Sequence, residues 1–93
     1  MDTITIHLSG LRLSLSSLTR KIFAKKLKLI VTSHNKPVFE IKAIENEEIG
    51  VEITSTHFRN HSSAILDLLE VNEYVFITDY GKRRVVCKRI END

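Results

Sequence analysis

Apolar residues recur along this chain with two different periods, and the points where the period changes divide it into short elements. ITIHL, residues 4 to 8, alternates apolar and polar positions and predicts a strand. LRLSL, residues 11 to 15, alternates in the same way and predicts a second strand. It leads into SSLTRKIFAKKL, a predicted helix capped by Ser16 with Leu18, Ile22 and Phe23 facing inward. LIVTSHNKPVFEIKAIENE, residues 29 to 47, is an apolar run, a polar turn and a second alternating run, the pattern of a hairpin. Val51, Glu52 and Ile53 then form a short strand before TSTHFRNHSSAILDLLE, where Thr54 or Ser55 caps a helix. Phe58, Ser62, Ile65 and Leu69 fall on one face of that helix, and Leu66 and Leu68 widen the stripe. VFITDYGKRRVVCKRIEND, residues 75 to 93, predicts another hairpin. The expected order is β, then β-α-β-β, then β-α-β-β, with the first helix about six residues shorter than the second.

The two hairpins are also similar as text. Residues 29–47 laid over residues 75–93, an offset of 46, match at six of nineteen positions: Thr32 with Thr78, Lys36 with Lys82, Lys42 with Lys88, Ile44 with Ile90, Glu45 with Glu91 and Asn46 with Asn92. Random pairing at ordinary composition gives roughly one. Glu47 and Asp93 add a conservative match. Asn35 and Gly81 fall at corresponding turn positions, and these residue types most readily take φ > 0 in a tight hairpin. Pro37 opens the return strand of the first hairpin, which requires its missing N–H to face solvent or an edge. An internal repeat follows as an expectation, with one copy over residues 11–47 and the other over 51–93.

Length and composition confine the chain to one compact domain: 93 residues with 42% apolar content. No run of about 18 uncharged apolar residues is present, and the start MDTITIHLSG lacks the basic and apolar regions of a signal peptide. A soluble cytoplasmic protein without membrane contact is therefore expected. The single cysteine, Cys87, sits in an alternating apolar run, where it reads as core, and it cannot close an internal disulfide.

The net charge of +2 is uninformative, but its distribution is uneven. Arg20, Lys21, Lys25, Lys26 and Lys28 form one cluster without an acid, and Lys82, Arg83, Arg84, Lys88 and Arg89 form another. Asp67, Glu70, Glu73 and Asp79 occupy the stretch from Asn60 to Tyr80, which carries no Lys or Arg. Such clusters are either solvated faces, which also keep strand edges from aggregating, or positive fields that a polyanion uses. His57 and His61 have the i, i+4 spacing of a helical metal pair, but Phe58 stands where a zincin has its glutamate and no third ligand is apparent. Ser62 and Ser63 have no visible base, and no glycine-rich phosphate loop occurs, so no enzyme, metal or cofactor is expected.

The second copy resembles the N-terminal module of the Phd/YefM antitoxins, which show a helix opening I-(S/T)-x-x-x-(F/A)-R, a V-x-I-T strand end and a G-K-(P)-V turn. The matching residues are Ile53, Thr54, Phe58, Arg59, Asn60, Ser62, Leu66, Val75, Ile77, Thr78, Gly81, Lys82, Val85 and Val86. The first copy is similar through Leu13, Ser14, Leu18, Asn35, Lys36, Pro37 and Val38. This resemblance implies an α+β fold of two tandem β-α-β-β modules. They would form an intramolecular pseudo-dimer, with a shared mixed or antiparallel sheet packed by two helices. It also implies a repressor that binds its own operator DNA, and a toxin protein as a second partner. Arg59 matches the family's DNA-contacting arginine, with Arg20 or Lys21 as its counterpart in the first copy. Lys36, Lys82, Arg83 and Arg84 at the hairpin tips would reach phosphates.

Two departures bear on this. The chain ends at Asp93, leaving no evident tail to wrap a toxin, and Asp79 and Ser33 stand where the family carries a basic residue. The competing expectation is a protein-interaction scaffold of the same fold that has lost DNA binding. A homo-oligomer and an internal pseudo-dimer are both compatible with the sequence.

Overall fold

A computed structural model describes residues 2–45 and 48–90. The elements are β1 (Thr3–His7), α1 (Leu8–Lys25), β2 (Lys28–Ser33), β3 (Lys36–Lys42), β4 (Val51–Thr54), α2 (Ser55–Asn60), α3 (Ala64–Val71), β5 (Tyr74–Asp79) and β6 (Lys82–Arg89). The six strands form one mixed sheet in the order β1-β2-β3-β6-β5-β4. β1 runs parallel to β2 and β4 parallel to β5, while β2–β3, β3–β6 and β5–β6 are antiparallel. Read inward from either edge, the sheet therefore meets a parallel pair, then a hairpin, then the central β3–β6 junction. The Cα radius of gyration is 11.9 Å, close to the ~12 Å that a compact chain of this length has.

The three helices cover one face. Leu8, Leu11, Leu15, Leu18 and Ile22 of α1, Phe58 of α2, and Ile65 and Leu69 of α3 share one buried cluster with Leu29, Val31, Phe39, Ile41, Ile53, Val75, Ile77, Val85 and Cys87 of the strands. Phe76 and Val86 alternate away from that cluster and pair with each other across β5 and β6, buried on the opposite face.

Several sequence expectations change in the first half. LRLSL is helix, because Leu11, Leu15, Leu18 and Ile22 continue at helical spacing and are buried, whereas Leu13 is 80% exposed. The strand before this helix is β1, so the first β-α-β-β run begins at Thr3 instead of residue 11, and ITIHL belongs to that run instead of standing apart from it. Ser16 lies within α1 and does not cap it. The cap is His7, whose Nδ1 accepts from the Ser9 backbone N–H at 3.2 Å. Phe23 is 57% exposed because it follows Ile22 by one residue, about 100° off the buried stripe. The first helix spans 18 residues and is longer than α2 or α3.

In the second half the single expected helix breaks between Asn60 and Ala64. Thr54 caps α2 by accepting from His57 N–H at 3.1 Å, which settles the choice between Thr54 and Ser55. Both hairpins close through two-residue turns in which both residues have positive φ: His34 (52°) with Asn35 (63°), and Tyr80 (52°) with Gly81 (75°). These are type I′ turns, whose twist matches that of the flanking strands. A register shift lies at the same place in each hairpin, between Val31 and Thr32 and between Ile77 and Thr78 on the strand before the turn. β6 pairs with β3 only over Phe39–Lys42, so Pro37 stands outside that ladder. The text matches at Glu91 and Asn92, together with Asn46, Glu47 and Asp93, lie outside the described residues. No helix among the described residues is long and apolar enough to cross a membrane.

Candidate nucleic-acid interface

Arg59 sits in the last turn of α2, a helix of only six residues. Its side chain instead turns back along the helix. Nε donates to the Ser55 carbonyl and Nη2 to Ser55 Oγ, both at 3.3 Å. Ser55 Oγ in turn donates to Asp79 Oδ1 at 3.4 Å, which links the start of α2 to the end of β5. These are long hydrogen bonds on a partly exposed surface, so they orient the guanidinium while leaving it open to a further acceptor.

That guanidinium stands beside a cleft of about 820 Å³ between α1, α2 and the β5–β6 hairpin. Arg20 enters it from α1 and Arg84 from β6, so three of the sequence-predicted arginines line one concavity. Arg84 reaches it because of the register shift. Thr78 opposes Arg83 while Ile77 opposes Val85, which leaves Arg84 as the additional residue of a bulge. A bulge re-aims a side chain, and this one directs Arg84 to the helical side, where Val85 and Cys87 also point. Phe23, Thr19 and Tyr80 and the acidic Asp79 complete the lining, with Tyr80 92% exposed.

The remaining predicted residues are dispersed. Arg83 faces the other side of the sheet, where its guanidinium carbon lies 4.0 Å from the Phe76 ring centroid and Nε is 2.6 Å from Glu52 Oε2. Lys82 and Lys36 are exposed at the two hairpin ends, and Lys21 is exposed on α1 without lining the cleft. Of the two alternatives in the first helix, Arg20 therefore lies with Arg59 and Lys21 does not. The cluster from Lys82 to Arg89 is contiguous only in sequence. Lys88 lies over Tyr74, and Arg89 donates to the Leu69 and Glu70 carbonyls at the end of α3. Lys28, from the other cluster, pairs with Glu40 at 2.7 Å.

Sequence reasoning missed Ser55, Phe23 and Tyr80 as cleft residues. Phe23 was recoverable from the phase of Leu11, Leu15, Leu18 and Ile22; the other two depend on the packing of α2 against the hairpin. The histidine pair has ring centroids 5.2 Å apart, and among the described residues no group of three metal-ligating side chains forms. Cys87 is buried, and burial pushes its thiol well above the ordinary range. Compared with protein-family models, with characterised proteins and with solved structures, the chain matches none.

Proposed function

We propose that this protein is an antitoxin-like DNA-binding repressor of Phd/YefM type, acting at its own operator and folded as an internal pseudo-dimer of two β-α-β-β modules. The observation that carries the reading is the convergence of Arg20, Arg59 and Arg84 on one cleft. Among the described residues none of the three is ion-paired with a carboxylate. Three guanidinium groups on one side of the molecule suit a ligand with closely spaced phosphates, and arginine also reads guanine edges. The pseudo-dimer is supported by the sheet order, which is the same from both edges, and by the matching turns and register shifts.

A protein-binding scaffold remains the second reading, favoured by the exposure of Phe23 and Tyr80 at the cleft. A reporter gene placed behind the DNA upstream of this protein's own reading frame separates the two. Repression that Arg59→Ala relieves supports the repressor. Unchanged expression with and without the protein overturns it in favour of the scaffold.

A further inference from the structure

The two halves of the chain correspond residue by residue along their helices, and the correspondence exposes a cation that the charge clusters conceal. His7 and Thr54 are both N-caps with almost the same backbone, φ −74°, ψ 147° and φ −74°, ψ 152°. Each accepts a backbone N–H from the first turn through its side chain. Both end a strand running parallel to the one that follows the helix, with His7 opposite Thr32 and Thr54 opposite Thr78. Four positions after the cap come Leu11 and Phe58, each fully buried. Helical geometry is lost at Ser14 (φ −117°, ψ 18°) in one half and at His61 (φ −140°, ψ 65°) in the other. Leu18 with Ile65 and Ile22 with Leu69 then return to the core. The cap and helix pairs are all separated by the same 47 positions, and the strand partners Thr32 and Thr78 by 46.

In that frame the counterpart of Arg59 is Arg12, which is neither Arg20 nor Lys21. Arg12 directly follows Leu11 as Arg59 directly follows Phe58, and both arginines are exposed. No ion pair or side-chain hydrogen bond holds Arg12 among the described residues, so it is available to an acceptor outside the chain.

We propose that Arg12 is a second DNA-contacting residue equivalent to Arg59, so that one chain presents both halves of a two-fold surface to a duplex with two-fold sequence symmetry. The inference rests on the DNA-binding reading of Arg59. A two-fold protein surface matches a palindromic site because each half meets the same base and phosphate arrangement. The halves are unequal, since Asp67 and Glu70 of α3 occupy the positions that Arg20 and Phe23 occupy in α1. Arg12 therefore acts with less cationic support, and its contact is the weaker of the two.

Fluorescence anisotropy tests this with labelled duplexes tiling the DNA upstream of the reading frame and a random duplex of equal length. The full chain is compared with its Arg12→Ala, Arg12→Lys and Arg59→Ala variants at several salt concentrations, and circular dichroism verifies that each variant is folded. Arg12→Ala is expected to weaken binding to the preferred duplex by about fivefold or more, less than Arg59→Ala does, and to reduce the salt slope by about one. Arg12→Lys is expected to restore the slope, and mass measurement of the complex to give one chain per duplex. Arg12→Ala binding like the parent while Arg59→Ala loses affinity overturns the role of Arg12 and leaves that of Arg59 standing. Equal binding of the parent to upstream and random duplexes overturns both.

Discussion

Ile41 and Cys87 lie opposite each other at the β3–β6 junction, and in the alignment of the two hairpins at an offset of 46 they are each other's counterparts. The pairs on either side, Glu40 with Lys88 and Lys42 with Val86, flank that point, which makes the Ile41–Cys87 pair the centre of the sheet. Both side chains enter the single core cluster beneath the helices. The junction therefore joins the two halves through buried apolar surface as well as through backbone hydrogen bonds.

Ile41→Ala at this point is expected to cost about 2–5 kcal/mol, because it removes buried methyl groups and leaves a cavity where the halves meet. Chemical denaturation is expected to show one transition for the parent and for the variant, at lower denaturant in the variant. Two separated transitions would show that the halves fold independently.

Cys87 gives a pH dependence whose sign follows from burial. Its folded thiol is held far above the ordinary value of 9.0, so below about pH 8 both states stay almost wholly protonated and the group contributes little slope. As pH rises past about 9, the unfolded chain releases a proton that the folded chain retains, and stability falls by up to about 1.4 kcal/mol per pH unit. Stability measured from pH 7 to 10.5 for the parent and for Cys87→Ala isolates the effect, since the variant lacks this component. A native thiol that reacts with a disulfide reagent at pH 8 as fast as the unfolded chain would contradict the burial.

Gly50 immediately precedes β4, where a Cβ would overlap the Tyr74 carbonyl oxygen at the start of β5. Gly50→Ala must push β4 away from β5 and is expected to cost about 1–3 kcal/mol. Thermal melting reads the loss, and an unchanged midpoint would show that the strands do not approach so closely.

Adjacent arginines are expected to behave differently. Arg84→Ala removes a cleft cation and should weaken DNA binding, whereas Arg83→Ala removes an exposed ion pair on the opposite face and should leave it unchanged. The Arg83–Glu52 pair itself contributes at most about 1 kcal/mol. Titrating both variants against the same duplex distinguishes them, and equal losses would mean that the binding surface is not the cleft.

The hairpins were the most legible part of the sequence, because Asn35 and Gly81 encode φ > 0 locally and the flanking alternation sets the faces. The α1 segment was misread for a physical reason. Leu11, Leu13 and Leu15 satisfy a period of two, and only the longer series through Leu18 and Ile22 reveals the helical period. The cleft was legible in its residue types and hidden in its geometry. A run such as Lys82–Arg83–Arg84 reads as one patch, yet strand alternation and a bulge send Arg83 and Arg84 to opposite faces. Arg12 was hidden because it lies outside both charge clusters, and its correspondence to Arg59 emerges only once the two caps are aligned.

Affinity for the upstream DNA, compared with random DNA across a series of salt concentrations, tests the DNA-binding proposal most directly. Tighter binding to upstream DNA, with log K falling linearly against log salt, is the predicted result. Equal affinity for both sequences, or affinity independent of salt, would contradict it.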